Sequence, residues 1–202
     1  MLNFSDGASF HPLKAIPHLA SHPAIVEIDS RNSLRPASVL IPIIYVDNTW
    51  ALLFTRRSES LRKHRGQVAF PGGGADVNDA DPCQTALRES NEEIGLNSDN
   101  VQILGYLPSV PTVSHYWVTP VVGWIQKPFK IVMSKDEVAR VFTVPIEWLA
   151  DPKNVSYKKL ETPWGTKQSV VFFNKYDEEL VWGFTGSLTL KLLEILTLRP
   201  IG

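Results

Sequence analysis

The stretch that decides the fold of this chain is Arg88-Glu89-Ser90-Asn91-Glu92-Glu93-Ile94-Gly95-Leu96. Its glutamates occupy positions i, i+3 and i+4, and side chains with that spacing share one face of an α-helix. Like charges placed in this way repel one another unless a positive group lies between them. A Gly-Gly-Gly loop precedes the helix, and such a loop lets the backbone approach a metal or a phosphate closely. The stretch therefore indicates a site for Mg²⁺ or a similar cation, which takes carboxylate oxygens and brings substrate phosphates with it.

The alternative interpretation of this cluster is a solvated helix face on which Arg88 pairs with Glu92, because exposed charge pairs of that kind are common and weak. The glycine loop upstream favours the metal site. In that case Arg88 has a structural role, since a guanidinium fork can orient neighbouring carboxylates. The metal ligands predicted in this way are Glu89, Glu92 and Glu93.

Composition limits the classes of function. The 202 residues, 44% of them hydrophobic, are enough for one globular domain with a sizeable core. A formal net charge of −1 predicts no general attraction to nucleic acid or to membranes. The single cysteine, Cys83, excludes an internal disulfide framework and a multi-cysteine zinc site. With no visible secretory signal, we expect a cytoplasmic protein, and a homodimer is compatible with these features.

Residues 1–36 show little periodicity and are interpreted as an N-terminal extension packed on a single domain, 37–202, with one short helix near 13–22. A glycine run, Pro71–Gly74, is predicted to be a loop. Strands interspersed with a few helices indicate a mixed sheet between helices, of α/β or α+β class. We predict hairpins at 38–46 with 50–55 and at 168–173 with 180–182, further strands at 67–70, 101–107, 117–125 and 139–144, and helices at 145–149 and 186–198.

The helix that carries the glutamates has recognisable ends. Asp81 is the predicted N-cap, Pro82 occupies the first helical position, and Gln84 completes a capping-box pattern. Gly95 supplies the C-terminal stop. A helix over these residues would present all three glutamates on one face.

A second constellation lies upstream. Residues 55–66, Thr-Arg-Arg-Ser-Glu-Ser-Leu-Arg-Lys-His-Arg-Gly, contain four arginines and a lysine in a chain that is almost neutral. A basic surface loop is one interpretation. Beside a metal–carboxylate site, binding of an anion is favoured, because arginine suits bidentate contacts with phosphate.

These residues carry a family resemblance. Residues 74–96 resemble the Nudix box, written GX5EX7REUXEEXGU with U aliphatic, and two positions depart from it: the first glutamate of the box is Ala80, and one aliphatic position is Ser90. The segment 53–73 is similar to the signature of the coenzyme A pyrophosphatase subfamily, approximately T-[KR]-R-S-x3-R-x3-G-x3-F-P-G-G, and Ala80 also looks like this subfamily. The matching positions are Thr55, Arg56, Arg57, Ser58, Arg62, Gly66, Phe70, Pro71, Gly72 and Gly73 upstream, and Gly74, Arg88, Glu89, Glu92, Glu93, Gly95 and Leu96 in the box.

The resemblance implies an α/β/α sandwich with a mixed central sheet and a catalytic loop-helix-loop. It also implies hydrolysis of coenzyme A to 3′,5′-ADP and 4′-phosphopantetheine with Mg²⁺ or Mn²⁺. Arg88 and the three glutamates would then be catalytic, and the general base would be either a glutamate of the box or Glu137, for which a solvated turn residue is the alternative. Residues expected to bind substrate are Arg56, Arg57, Arg62, Arg65, Gly72 and Gly73, with the division of roles among the arginines left open.

The sequence is also compatible with other functions. One is a Nudix pyrophosphatase for ADP-ribose or another nucleoside diphosphate derivative, and another is a nucleotide-binding regulator without turnover. The intact triad of Glu89, Glu92 and Glu93 speaks against the regulator. RNA binding is disfavoured because the chain has neither a surplus of basic residues nor a motif of stacking aromatic side chains.

Overall fold

The structure, a computed structural model, describes residues 11–23, 34–61, 64–161, 165 and 167–196. Arg62, one of the expected substrate residues, lies outside the described residues. The described part contains ten strands and three α-helices. The strands are β1 Arg35–Val46, β2 Thr49–Arg57, β3 Val68–Ala69, β4 Gly72–Gly74, β5 Val101–Tyr106, β6 Val110–Pro111, β7 Tyr116–Ile125, β8 Val138–Pro145, β9 Val155–Glu161 and β10 Lys167–Phe173, and the helices are α1 Pro82–Ile94, α2 Ile146–Ala150 and α3 Gly183–Ile195.

The central sheet is mixed, as the sequence predicts. Strands β1 and β2 form the expected hairpin, and both turn residues, Asp47 and Asn48, have positive φ, as two-residue hairpin turns require. Strand β1 is parallel to β7 over ten residue pairs. Strands β8 and β5 are antiparallel to β2 and β7, respectively.

Helices cover both faces of this sheet, so the predicted α/β/α sandwich is confirmed. On one face α1 packs on the sheet, and on the other face α2 and α3 do. Strands buried on both sides are rich in aliphatic residues at every position, which explains the apolar runs in β1 and β2. The α1 face of the sheet presents Leu40, Leu53 and Val121, and the opposite face presents Ile41, Ile43, Leu52, Phe54 and Val122.

The prediction that Pro71–Gly74 is a loop was wrong. Gly72–Gly74 forms β4, which pairs antiparallel with Ala37–Val39 of β1 where the β1–β2 hairpin opens. Gly72 has a φ of 153°, and a Cβ atom there would collide with the carbonyl oxygen of Ser38. A run of glycines has no intrinsic preference for a strand, so backbone pairing with a distant strand overrides the local tendency.

The second predicted hairpin is only partly correct. Phe173 donates a backbone hydrogen bond to Val181, and one bridge joins Phe172 to Trp182. The main partner of β10 is β9, however, which pairs with it over seven positions. Strand β9 is lysine-rich and exposed, so its sequence has no apolar alternation that would reveal a strand.

The ends of the described region show smaller differences from the predictions. The short N-terminal helix is a 3₁₀ helix, Pro12–His18, and Ala20 beyond it exchanges two backbone hydrogen bonds with Tyr106 of β5. The last helix, α3, begins at Gly183, three residues before its predicted start. None of the helices in the described ranges has the length and apolar character needed to cross a bilayer.

Candidate active site

Helix α1 has the ends that the sequence predicts. The carboxylate of Asp81 accepts the backbone N–H of Gln84 at 2.8 Å, and the Gln84 side chain accepts the backbone N–H of Ala80 at 2.8 Å. Gly95 ends the helix in the left-handed region, at a φ of 72°. Ser90, which departs from the aliphatic pattern, is fully buried, and its hydroxyl donates to the carbonyl of Ala86 at 2.6 Å. This local bonding holds the acidic face of α1 beside β4.

Arg88 ties the loop before α1 to the carboxylates on it. Its Nε and Nη2 donate to the carboxylate of Asp79 at 3.0 Å each, and Nη2 also donates to the carbonyl of Gly74 at 2.9 Å. Its Nη1 donates to Glu89 at 2.9 Å and to Glu92 at 3.1 Å. The hydrogen bond from Arg88 lowers the pKa of Asp79 to about 2, and the same bond raises the pKa of Arg88. The organising role predicted for Arg88 is consistent with these contacts.

Asp79 is a site residue that the sequence predictions missed. Its side chain is only 6% exposed, and it fills the space next to the position at which the box usually has its first glutamate, here Ala80. The sequence contained an indication of this role, because Asp79 comes directly before Ala80, the position that departs from the box. In this chain the guanidinium of Arg88 is therefore anchored by an aspartate shifted by one residue.

Glu89 lies directly against the glycine strand. A Cβ atom at Gly73 would sit 2.5 Å from the carboxyl group of Glu89, so only glycine fits there without displacing that carboxylate. Burial raises the pKa of Glu89, and the nearby charges of Glu92 and Glu137 add to this effect, while Arg88 opposes it. The Glu89 carboxylate therefore lies against β4, where the charges of Glu92 and Glu137 repel it.

Glu93 is the buried member of the group, with 3% of its surface exposed. Its Oε2 accepts the backbone N–H of Gly72 at 3.3 Å, and its Oε1 lies 3.8 Å from Nη1 of Arg57. Burial raises the pKa of Glu93 to about 8, helped by repulsion from Glu89 and Glu137 and opposed by Arg57 and the Gly72 N–H. A bound cation would favour the ionised form of such a group.

The donor chemistry of this cluster fits a hard divalent cation. Glu89, Glu92 and Glu93 share one helix face, Glu89 and Glu93 lie against the glycine strand, and carboxylate oxygens are the donors that Mg²⁺ and Mn²⁺ prefer. Glu92 is the most open of the three, with 55% of its side chain exposed. Over the described residues, no three His, Cys, Asp or Glu side chains are gathered as a ready-made metal site. In the structure, the guanidinium groups of Arg57 and Arg88 offset part of the carboxylate charge.

The turn that carries Glu137 closes one side of the site. Backbone N–H groups of Val132 and Ser134 donate to the carbonyls of Ile94 and Glu93 at 3.0 and 2.9 Å, which joins the turn to the end of α1. Glu137 is exposed, and its charge acts on both Glu89 and Glu93. The structure therefore brings Glu137 to the box glutamates.

The arginine-rich segment meets the site at its beginning. The backbone N–H of Ser58 donates to the carbonyl of Glu137 at 2.8 Å, so the turn after β2 rests on the turn that carries Glu137. Arg57 faces Glu93, as described above. Arg56 points to the opposite face of the sheet, where its Nη1 is 3.7 Å from Glu179, and Arg65 is exposed on the turn. Of the arginines in the described segment, Arg57 is thus the one beside the box glutamates.

The sequence of the chain matches a known protein family and its members. The model of the NUDIX domain family matches residues 34–180. An uncharacterized Nudix hydrolase, NudL, of Pectobacterium atrosepticum is 42% identical over 166 residues, covering 82% of this chain and 85% of the relative. NudL of Escherichia coli K12 is 40% identical over 167 residues with the same coverage, 82% and 85%.

A solved structure supports the fold alone. The MutT/nudix family protein from Enterococcus faecalis superposes with a TM-score of 0.51 at 14% identity, over 96% of this chain and 71% of that one. The family match and the relatives go further, because they cover the loop-helix-loop whose residues form the site. The chain therefore belongs to the Nudix family of hydrolases, which act on the pyrophosphate bonds of nucleoside diphosphate derivatives and generally need divalent cations such as Mg²⁺ or Mn²⁺.

Proposed function

We propose that this Nudix hydrolase cleaves the pyrophosphate of coenzyme A, or of its derivatives, to 3′,5′-ADP and 4′-phosphopantetheine. The observation that carries the proposal is the 3.8 Å approach of Arg57 to Glu93. Arg57 belongs to the segment that resembles the coenzyme A signature, and Glu93 belongs to the Nudix box. The same signature ends in Gly72 and Gly73, which contact Glu93 and Glu89. Both motifs thus contribute to a single site.

Each of these side chains has a proposed part in hydrolysis. Glu89, Glu92 and Glu93 would hold Mg²⁺ or Mn²⁺, which when bound neutralises charge on the pyrophosphate and acidifies water. Arg57 is suited to bind a pyrophosphate oxygen and to stabilise the charge that moves onto the leaving phosphate. The absence of side chains at Gly72 and Gly73 lets Glu93 and Glu89 lie directly against the backbone of β4.

The general base is proposed to be Glu137. It is exposed beside Glu89 and Glu93, and no described side chain forms an ion pair with it. Its carboxylate would accept the proton of the water that attacks phosphorus in line with the leaving oxygen. Arg88 contributes by orienting the carboxylates of Glu89 and Glu92, to both of which it donates hydrogen bonds.

A substrate panel tests the proposal. The protein would be incubated with Mg²⁺ or Mn²⁺ and with coenzyme A, an acyl-coenzyme A, ADP-ribose or a dinucleoside polyphosphate, and products would be identified by mass. We expect 3′,5′-ADP from coenzyme A and the highest kcat/KM for coenzyme A or its derivatives. The Glu89→Gln variant serves as the control for contaminating activity. Equal kcat/KM for ADP-ribose and coenzyme A would refute the substrate assignment and leave the family assignment intact.

A further inference from the structure

Two adjacent arginines at the end of β2 lie on opposite faces of the sheet. Leu53 packs on the α1 face and Phe54 on the opposite face, and the same alternation directs Arg57 toward Glu93 and Arg56 away from it. Arg56 is paired in register with Arg140 of β8, so both guanidinium groups belong to the face away from α1. A phosphate group that Arg57 binds beside Glu93 therefore does not bind Arg56 as well.

A buried glutamate, Glu179, lies between Arg56 and Arg140. Glu179, in the turn before α3, has a side chain only 5% exposed, and its Oε1 is 3.0 Å from Nη1 of Arg140 and 3.7 Å from Nη1 of Arg56. Arg140 has further partners, because it also donates to the backbone carbonyl of Asp177 at 3.0 Å and to the Asp177 carboxylate. The donors of Arg140 are thus largely used within the protein.

Arg56 is different, because no hydrogen bond to another described residue uses its side-chain donors. Its contact with Glu179 is longer than a hydrogen bond, and its Nε is buried with no hydrogen-bond partner in the part of the chain that the structure describes. Its side chain is 40% exposed, so a ligand can reach it. A guanidinium held by a buried carboxylate, with donors to spare, is suited to bidentate recognition of a phosphate.

We propose that Arg56, positioned by Glu179, binds the terminal 3′-phosphate of the substrate, a phosphomonoester separate from the pyrophosphate that is cleaved. This inference rests on the proposed function and assigns the roles of the two arginines: Arg57 serves the pyrophosphate, and Arg56 serves the group that distinguishes coenzyme A from nucleotides without a 3′-phosphate. Glu179 acts through Arg56 as a positioning residue.

The test compares coenzyme A with 3′-dephospho-coenzyme A on the wild type and on the variants Arg56→Gln and Glu179→Gln. The wild type is expected to prefer coenzyme A, and both variants to lose about tenfold or more of that preference, through a higher KM for coenzyme A. Their kcat/KM for the dephospho substrate should stay within about threefold of the wild type. The control is Asp177→Asn, which alters a contact of Arg140 only and should keep the preference.

Loss of activity by destabilisation gives a different pattern, because it lowers the rate on both substrates equally. That pattern in Arg56→Gln and Glu179→Gln would overturn the inference, as would a wild type with no preference between the two substrates. If Glu179→Gln does not fold, Glu179→Asp retains the charge but is one methylene too short to hold Arg56, and it should show the same loss. Absence of any cleavage of coenzyme A by the wild type would instead reject the proposed function, and the role of Arg56 with it.

Discussion

Replacement of Glu93 by glutamine should separate catalysis from the stability of the metal-free fold. Glutamine has the shape of glutamate, and its side-chain oxygen can still accept the backbone N–H of Gly72, as Glu93 does at 3.3 Å. It cannot ionise, however, and a neutral amide is a poor ligand for Mg²⁺. We therefore expect kcat to fall by orders of magnitude while the protein stays folded.

The magnitude of the effect on stability follows from the pKa of the buried carboxyl group. Burial raises the pKa of Glu93 from 4.5 to about 8, so the folded protein favours the protonated form. The contribution of the buried Glu93 carboxyl group to the free energy of unfolding is fully present below pH 4.5 and is lost as the pH rises through about 8. At about 1.36 kcal/mol for each pKa unit, the complete loss is on the order of 5 kcal/mol. Between pH 4.5 and about 8, the free energy of unfolding of the wild type should fall by about 1.4 kcal/mol per pH unit. The Glu93→Gln variant should not show this fall, because its side chain does not ionise.

Urea denaturation in EDTA at pH values from 5 to 9 measures this difference. The free energy of unfolding of Glu93→Gln, minus that of the wild type, should rise with pH and level off above about pH 8. The control is Glu92→Gln, which removes a carboxylate from the same helix face at a side chain that is 55% exposed, so that the effect of burial is confined to Glu93. Parallel pH curves for wild type and Glu93→Gln would refute the argument from burial, and a fully active variant would refute the metal-ligand role.

Three further substitutions test neighbouring parts of the site. Gly73→Ala should weaken the binding of Mn²⁺, measured by calorimetry, because its Cβ atom would sit 2.5 Å from the carboxyl group of Glu89. Arg88→Lys should lower the free energy of unfolding by about 1–3 kcal/mol and reduce kcat, because a single ammonium group cannot replace the fork that reaches Asp79 and Glu89 together. Glu137→Gln should lower kcat with little change in KM, and in the metal-free protein it should lower the raised pKa of Glu89 by removing a repulsive charge.

Each of these substitutions has a matched control. Gly74→Ala places its Cβ 3.9 Å from the ring of Tyr116, an ordinary contact, and should leave Mn²⁺ affinity unchanged. Lys175→Gln removes an exposed ion pair and should cost less than about 1 kcal/mol, so an equal cost for Arg88→Lys would contradict the role of the fork. Asp136→Asn alters the acid next to Glu137, and an equal loss of kcat in both variants would show that position 137 is not special.

Local features of the sequence predicted helix α1 well. Its N-cap and C-terminal stop depend on hydrogen bonds between residues at most four apart, such as Gln84 to Asp81 and Gly95 to Asn91. Bonds of that range are formed by the residue types themselves, so Asp81, Pro82 and Gly95 could be assigned without a structure. The shared face of Glu89, Glu92 and Glu93 follows in the same way from helical spacing alone.

Other parts of the fold depended on partners far along the chain. The glycine strand β4 exists because it pairs with β1, more than thirty residues earlier in the chain, and glycine itself has no preference for that conformation. Strand β9 escaped prediction because its side chains are solvated on both faces and show no periodicity. Pairings between such distant segments are not predicted by the local sequence.

The sequence by itself therefore determined the family, the shared face of Glu89, Glu92 and Glu93 and the presence of an arginine-rich segment upstream. Only the tertiary structure decided which arginine faces which partner. Residues Ala51 to Phe54 are all buried, so the apolar pattern of β2 does not tell one face of the sheet from the other. The face is decided by packing between α1 and α3, which places Arg57 at Glu93 and Arg56 at Glu179. Those contacts join residues 36 and 123 positions apart, and only the folded chain brings them together.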